Sequence, residues 1–238
     1  MADRTQRGMA PPLPEDLREI ALLRGLPDAQ LQELAGQLHS KSFPGDTTLM
    51  TVEQPGDVVY FIRSGTVKVH IEQEDGTDVI LAILGHGETV GEMSVLDEDE
   101  RAASVVTLED SALLWLNRTA FRASLLTMPV LAYNLACLLS SRLRHANEQI
   151  QSLATCGAEA RIARHIMAFA QKYGRSEAGG GLLIPIRLTQ SDIASLTGIS
   201  REHTNKILVS YKERGYLTSD RRHYFTIHNS DALVRRCQ

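Results

Sequence analysis

The sequence predicts an α+β fold in three parts: an antiparallel β sandwich or jelly roll, one long amphipathic helix, and a small helical module closed by a β-hairpin. Three observations carry this reading. Gly45, Gly56, Gly65, Gly76 and Gly85 recur at intervals of 11, 9, 11 and 9, with β-branched runs between them. Leu131, Leu135, Leu139, Leu143, Ala146, Ile150 and Leu153 step by 4, 4, 4, 3, 4 and 3. Thr189-Gln190-Ser191-Asp192 opens a short helix that Gly198 ends, and Ser200 stands ready to cap another.

In chain order, residues 1–16 carry charge and prolines and are expected to form a loose tail. Leu17 to Leu38 reads as one or two short helices broken at Gly25-Leu26-Pro27. From Lys41 to Leu116 the pattern alternates, with Val58 to Ile62 and Thr66 to Ile71 as strands. Pro44-Gly45-Asp46, Pro55-Gly56-Asp57, Ser64-Gly65 and Asp75-Gly76 supply the turns. Even strand spacing with turn residues between suggests a sandwich or jelly roll. A helix then runs from Met128-Pro129 to about Leu153, with Pro129 tolerated in the first turn. Its apolar stripe takes heptad spacing in its second half, as expected of a helix that pairs with its twin in a parallel homodimer; an ordinary core helix is the alternative. Gly157 marks a hinge. Glu159 to Tyr173 is a further helix, Gly174 to Gly181 a glycine-rich loop, and Leu182 to Leu188 a short strand.

Composition narrows the function. The 238 residues suit two modest domains. Residues 1–159 hold 12 Lys and Arg against 23 Asp and Glu, whereas residues 160–238 hold 13 against 6. A basic C-terminal module on an acidic body points to a polyanion partner for that module alone. No apolar run reaches the roughly 18 residues that span a bilayer, so no membrane partner is expected, and the N-terminus lacks the apolar core of an export signal. The three cysteines (Cys137, Cys156, Cys237) have no metal-ligand spacing and fit a reduced, cytoplasmic protein. The eight histidines form no HxH or HExxH pair, so no metal is expected.

The C-terminal module reads as a helix-turn-helix. Thr189 and Asp192 form a capping box, Ala194 leaves room for a second helix, and Gly198 supplies the left-handed turn. Ser200 caps the second helix, Arg201 to about Glu213, and Ile193, Leu196, Ile199 and Ile207 fill the small core. Its exposed first turns present Arg201, Glu202, Asn205 and Lys206. Arg matches guanine O6 and N7, and Glu accepts from cytosine N4; the alternative for Glu202 is an i, i+4 ion pair with Lys206. Gly215 to Leu217 and His223 to Ile227 form a hairpin whose tip carries Arg221 and Arg222, placed to touch phosphates or simply exposed. Together with Thr189, Gln190 and Ser200 at the helix starts, these are the candidate contacts to double-stranded DNA.

In the β region, Gly91-Glu92-Met93 is followed by an acidic turn and Arg101-Ala102-Ala103-Ser104. One carboxylate, one guanidinium and a small-residue turn are able to hold a ribose and a phosphate together. With both ends read, the chain resembles the cyclic AMP receptor protein/FNR family of bacterial regulators, from Leu17 to about Asn229. The anchors are Pro55-Gly56-Asp57, Ser64-Gly65, Gly91-Glu92-Met93, Arg101-Ala102-Ala103, the long helix and Ser200-Arg201-Glu202.

The resemblance implies a cyclic-nucleotide-binding sensor domain over 17–126, a dimerisation helix and hinge over 127–156, and a winged helix-turn-helix over 157–238. It also implies cyclic AMP as allosteric ligand, a homodimer, duplex DNA and RNA polymerase as partners, and no enzyme activity. Arg101 would pair with the cyclic phosphate, Glu92 would accept from the ribose 2′-hydroxyl, and the amides of Ala102 and Ala103 would complete an anion nest. Ala102 stands where many bacterial members carry Ser or Thr, a form similar to the cyclic-AMP sites of protein kinase A regulatory subunits. Ala146 and Asn147 take the places of adenine-reading hydroxyls, and Asn147 alone offers an amide to the base. Arg142 faces either the pocket or a surface or interhelical ion pair. Lys206 stands where the cyclic AMP branch usually has a second Arg, and His203-Thr204 where it has Thr-Val, so a T-G-T-G-A half-site is expected only approximately.

With no cysteine in the first 136 residues, the iron–sulfur branch is excluded. A haem-sensing variant would need His70, His86 or His145 as axial ligand. A ligand-independent or differently gated regulator remains as one alternative, and a cyclic-nucleotide module regulating a partner protein as another.

Overall fold

The computed structural model describes residues 12–52, 54–74, 77–97 and 99–237. By its internal contacts the chain divides into two compact units, residues 1–71 with 83–142, and residues 72–82 with 143–238.

The first unit opens with two short helices, α1 (Pro14–Leu17) and α2 (Asp28–Gln37), and a 3₁₀ turn between them at Ala21–Leu23. Eight strands follow, of which β5 falls mostly among the residues assigned to the second unit: β1 (His39–Phe43), β2 (Thr48–Met50), β3 (Val58–Ser64), β4 (Val67–Glu72), β5 (Asp78–Leu84), β6 (Thr89–Val90), β7 (Ser104–Thr107) and β8 (Ser111–Asn117). They make two four-stranded sheets, β1-β8-β3-β6 and β2-β7-β4-β5. The expected jelly roll is thus present, and α3 (Met93–Asp97) interrupts it between β6 and β7. The α+β class and the order of sensor, long helix and helix-turn-helix also stand as expected.

Residues 1–11 lie outside the described part, so the tail expectation is met only at its far end, and there it fails. Residues 14–17 are helical, Leu17 is fully buried, and Asp16 pairs with Arg63 at 2.9 Å. The proline-and-charge composition of this stretch hid a helix start, with Pro14 at the first helical position, where its missing N–H costs nothing.

The core cluster of this unit draws its side chains from the helices and from the β1-β8-β3-β6 sheet. Leu17, Ile20, Leu31 and Leu34 from the N-terminal helices meet Val59, Phe61, Leu114 and Leu116 from β3 and β8. Helix α4 (Arg118–Thr127), capped by the Asn117 side chain on the Ala120 amide at 2.8 Å, adds Phe121. Helix α5 (Pro129–Thr155, 27 residues) adds Leu131 and Leu135 from its first turns. The first two members of the apolar stripe are therefore consumed by this core. Truncating Phe61 to Ala is expected to cost about 3–5 kcal/mol, as for other fully buried aromatics.

In the second unit α6 (Ala158–Tyr173) starts at Gly157, which serves as its N-cap. A small sheet of order β11-β12-β10-β9 follows, with β9 (Arg175–Ser176), β10 (Leu182–Ile184), β11 (Leu217–Ser219) and β12 (Phe225–Ile227). The expected glycine-rich loop is thus the turn of a hairpin, since Arg175 and Ser176 pair with Leu183 and Leu182. The strand expected to Leu188 ends at Ile184, just before Pro185, which has no N–H to give a ladder. Helices α7 (Gln190–Thr197), α8 (Arg201–Glu213) and α9 (Ser230–Arg236) complete the unit. No single helix among the described residues is long and apolar enough to cross a membrane.

Candidate functional site

The first site lies between β6, α3 and the start of β7. Gly91 sits at φ +87°, and a Cβ there would stand 2.8 Å from Arg101 Nη1 and 2.9 Å from the Val58 carbonyl. Only glycine satisfies both the backbone and the close approach. The turn it makes sends Glu92 inward, to 1% exposure, while Arg101 enters from the other side at 5%.

These two side chains do not pair with each other. Arg101 Nη1 donates to the Gly91 carbonyl at 2.9 Å and to Ser94 Oγ at 3.1 Å, and Nη2 donates to the Val58 carbonyl at 2.9 Å. Its Nε has no hydrogen-bond partner among the described residues. Glu92 Oε1 instead accepts from Arg142 Nη1 on α5, whose Nη2 reaches the Thr89 carbonyl. Glu92 Oε2 is buried without a partner among the described residues. Burial pushes the Glu92 carboxyl above its ordinary range, opposed mainly by the Arg142 charge. Burial also pulls Arg101 below its usual value, opposed mainly by Tyr60. Among the described residues Arg101 thus donates to neutral oxygens and makes no direct ion pair, although Asp57 and Glu92 act on it at longer range. Burying a charge without a direct counter-ion is costly.

The geometry thus brings together Gly91, Glu92, Arg101 and Arg142. Of the two alternatives for Arg142, it takes the side facing the site, as the partner of Glu92. Met93 is 46% exposed, Ala102 is exposed and Ala103 half-buried. Asn147 is exposed and belongs to the second unit. Ser94, 3% exposed, joins the site unannounced by the sequence reading; its only signal was a small polar residue two positions beyond the carboxylate. Val58 and Thr89 act through backbone carbonyls, which no side-chain pattern reveals. Among the described residues no cluster of three or more His, Cys, Asp or Glu could hold a metal ion.

The second site is the helix pair α7–α8. Thr189 Oγ1 accepts from the Asp192 amide at 3.1 Å, and Asp192 Oδ2 accepts from the Thr189 amide at 2.8 Å, which closes the capping box. Gly198 adopts φ +62°, the left-handed turn that ends α7, and Ser200 Oγ accepts from the His203 amide at 3.3 Å to start α8. Thr204, Ile207, Leu208 and Tyr211 form the buried stripe of α8. Arg201, Glu202, Asn205 and Lys206 lie on its exposed face. Three of them are paired there: Glu202 with Lys206 at 2.7 Å, and Asn205 with Gln190 of α7 at 2.8 Å. The hairpin β11–β12 carries exposed Arg221 and Arg222 at its tip, where Asp220 Oδ1 accepts from the Arg222 and Tyr224 amides.

Known proteins match both parts of the chain. Residues 40–127 match the family described as a cyclic nucleotide-binding domain, and residues 160–236 match the Crp-like helix-turn-helix domain. A CRP-like cAMP-activated global transcriptional regulator of Mycobacterium tuberculosis is 31% identical over 224 residues, covering 94% of this chain and 99% of the relative. The chain belongs to the CRP/FNR family of transcription regulators. The Cyclic AMP receptor protein of Thermus thermophilus is 33% identical over 194 residues, or 82% of this chain and 86% of that one. Among solved structures, FixK2 from Bradyrhizobium japonicum shares the fold with a TM-score of 0.75 at 17% identity, covering 84% of this chain and 98% of its own. The c-di-GMP responsive regulator CLP of Xanthomonas campestris does so with a TM-score of 0.71 at 22% identity, covering 85% and 99%. Membership assigns the chain to DNA-binding regulators rather than enzymes, and the Crp-like domain supports DNA as the partner of the C-terminal module. The first domain matches a nucleotide-binding family, which supports a nucleotide as its class of ligand.

Proposed function

We propose that this regulator is a homodimer switched by cyclic AMP. The observation that carries the ligand is the pair of buried, opposite charges that are not spent on each other. Arg101 is 5% exposed and meets no carboxylate, and Glu92 keeps one buried oxygen without a partner among the described residues. A cyclic phosphate would give Arg101 its anion through charge-assisted bonds, with Nε as a further donor. A ribose hydroxyl would satisfy Glu92 Oε2. The relatives named as cAMP-activated or cyclic AMP receptor proteins favour cyclic AMP among nucleotides.

The dimer rests on α5. Leu143, Ile150 and Leu153 are 64%, 65% and 54% exposed, all on the stripe whose first two members are buried. A second copy of the same helix would cover them. Two α8 helices would then meet successive major grooves, about 34 Å apart, with Arg201, Glu202, Asn205 and Lys206 at the bases and Arg221 and Arg222 at phosphates. RNA polymerase is the further partner in this reading. Ligand shifts the balance between two packings of the dimer only by its differential affinity for them.

Titration calorimetry tests the ligand. Cyclic AMP is expected to bind the wild type and to fail with Arg101→Ala; equal affinity in both would overturn the assignment. A second reading, a regulator that needs no nucleotide, is favoured by the hydrogen bonds Arg101 already makes to the Gly91 and Val58 carbonyls. Full DNA affinity without cyclic AMP, unchanged on adding it, would decide for that reading.

A further inference from the structure

The exposed face of α8 does not offer its side chains to a base on equal terms. Asn205 is already engaged, since its Oδ1 accepts from Gln190 Nε2 at 2.8 Å. Gln190 is the first residue of α7, directly after the capping box that fixes that helix start. The bond therefore ties the first turn of α7 to the second turn of α8, across the corner of the helix-turn-helix. It is a side-chain to side-chain contact between the two helices, on the surface that Arg201 and Lys206 share.

We infer that this bridge makes Asn205 a hydrogen-bond donor toward DNA, so that its position in the operator is read as a base whose major-groove edge offers acceptors and no amine, thymine O4 or guanine O6 and N7, rather than adenine, whose N6 donor stands beside its N7. The inference rests on the reading of α8 as the helix that enters the major groove. A free asparagine offers its oxygen and its NH₂ side by side, the combination that matches adenine N7 and N6. The bridge turns the Asn205 oxygen toward α7 and leaves the NH₂ group as the outward end.

The field of DNA favours this way round, since phosphates favour an N–H rather than a carbonyl pointing out from the protein. Gln190 is thus a specificity-determining residue that acts through Asn205.

The test is a competition among four operators that differ only at the base pair whose preference Asn205→Ala erases, using the full-length protein and cyclic AMP. The wild type is expected to prefer thymine or guanine there. Gln190→Glu replaces the donor with a group that only accepts, so Asn205 turns over, gives its NH₂ to Glu and exposes its oxygen. The preference is then expected to move at least tenfold toward adenine or cytosine, whose exocyclic amines donate. Asn205→Asp presents an outward oxygen with Gln190 intact and is expected to move it the same way.

Both carboxylates weaken binding to every operator through phosphate repulsion, so the ratio between operators is the readout rather than the affinity. Gln190→Met keeps the length and lacks the amide, and is expected to broaden the preference to include adenine. A wild-type preference for adenine, or unchanged ratios in all three variants, would overturn the inference. Arg201→Ala controls the underlying reading: if it leaves every base preference intact, α8 is not the reader and the inference falls for that separate reason.

Discussion

Arg142 on α5 lies against one oxygen of the Glu92 carboxylate, and the other oxygen is buried with no partner among the described residues. The acid is thus held by one cation that is itself about one-third exposed. Replacing Arg142 with Met is expected to cost about 1–3 kcal/mol of folding stability at neutral pH, less than a fully buried pair because water reaches the guanidinium. Burial already raises the Glu92 pKa, and losing Arg142 removes the largest influence that lowers it. The folded carboxyl then binds its proton more tightly than the unfolded one. Stability is therefore lost as pH rises from the ordinary carboxylate range through the raised folded value. Urea midpoints are expected to show the Arg142→Met defect shrinking toward pH 5 and vanishing in the Glu92→Gln background. A defect of equal size at both pH values would remove charge burial as its cause.

Gly91 offers a test of the turn that holds both charges. Alanine there would have to accept φ +87° and a Cβ 2.9 Å from the Val58 carbonyl. A loss of at least about 1–2 kcal/mol is expected from backbone strain alone, with the proposed cyclic AMP binding lost together with it. Thermal unfolding and calorimetry on the same protein would check both. Normal binding by a Gly91→Ala protein would show that the turn is not needed to aim Arg101.

His165 on α6 gives the second unit a pH dependence. Burial, aided by the nearby His145, pulls its pKa down to about 4 from the ordinary 6.5. Above pH 6.5 the imidazole is neutral whether the chain is folded or not, and there is no effect. Between 6.5 and 4 the unfolded chain takes up a proton that the folded one refuses, so stability falls as pH is lowered through that window. The difference in urea midpoint between wild type and His165→Gln is expected to change across this range. A constant difference from pH 7 to pH 4 would count against a neutral buried imidazole.

The exposed part of the α5 stripe predicts the state of assembly. Leu143→Glu with Ile150→Glu is expected to give a monomer in sedimentation, with the circular dichroism of the wild type retained, because both side chains are exposed in the single chain. A dimer that survives the double change would place the seam elsewhere.

Much of this was legible in residue order. The turn glycines marked the strands, and the Thr189–Asp192 box with Gly198 marked the helix pair, because capping and left-handed turns are local chemistry. Arg101 and Glu92 were visible as a candidate pair by type and spacing. Their actual partners were not, since the carbonyl of Val58 and the guanidinium of Arg142 reach the site only after distant segments assemble. Arg142 was left between two roles for the same reason: position on a helix does not say which oxygen its guanidinium will find. The stripe on α5 looked continuous in sequence, yet Leu131 and Leu135 face their own core and Leu143 faces outward. Periodicity reports that a face is apolar and is silent on what covers it.

The length of α5 has a mechanical consequence. Its early turns are rooted among Phe61 and Phe121, and Arg142 fastens it to Glu92 midway along. About 20 Å of uninterrupted helix then runs on to Thr155, so a tilt of about 5° at the fastening would swing the far end by roughly 2 Å. A molecule small enough to loosen one ion pair would thus have a stiff lever already in its grip.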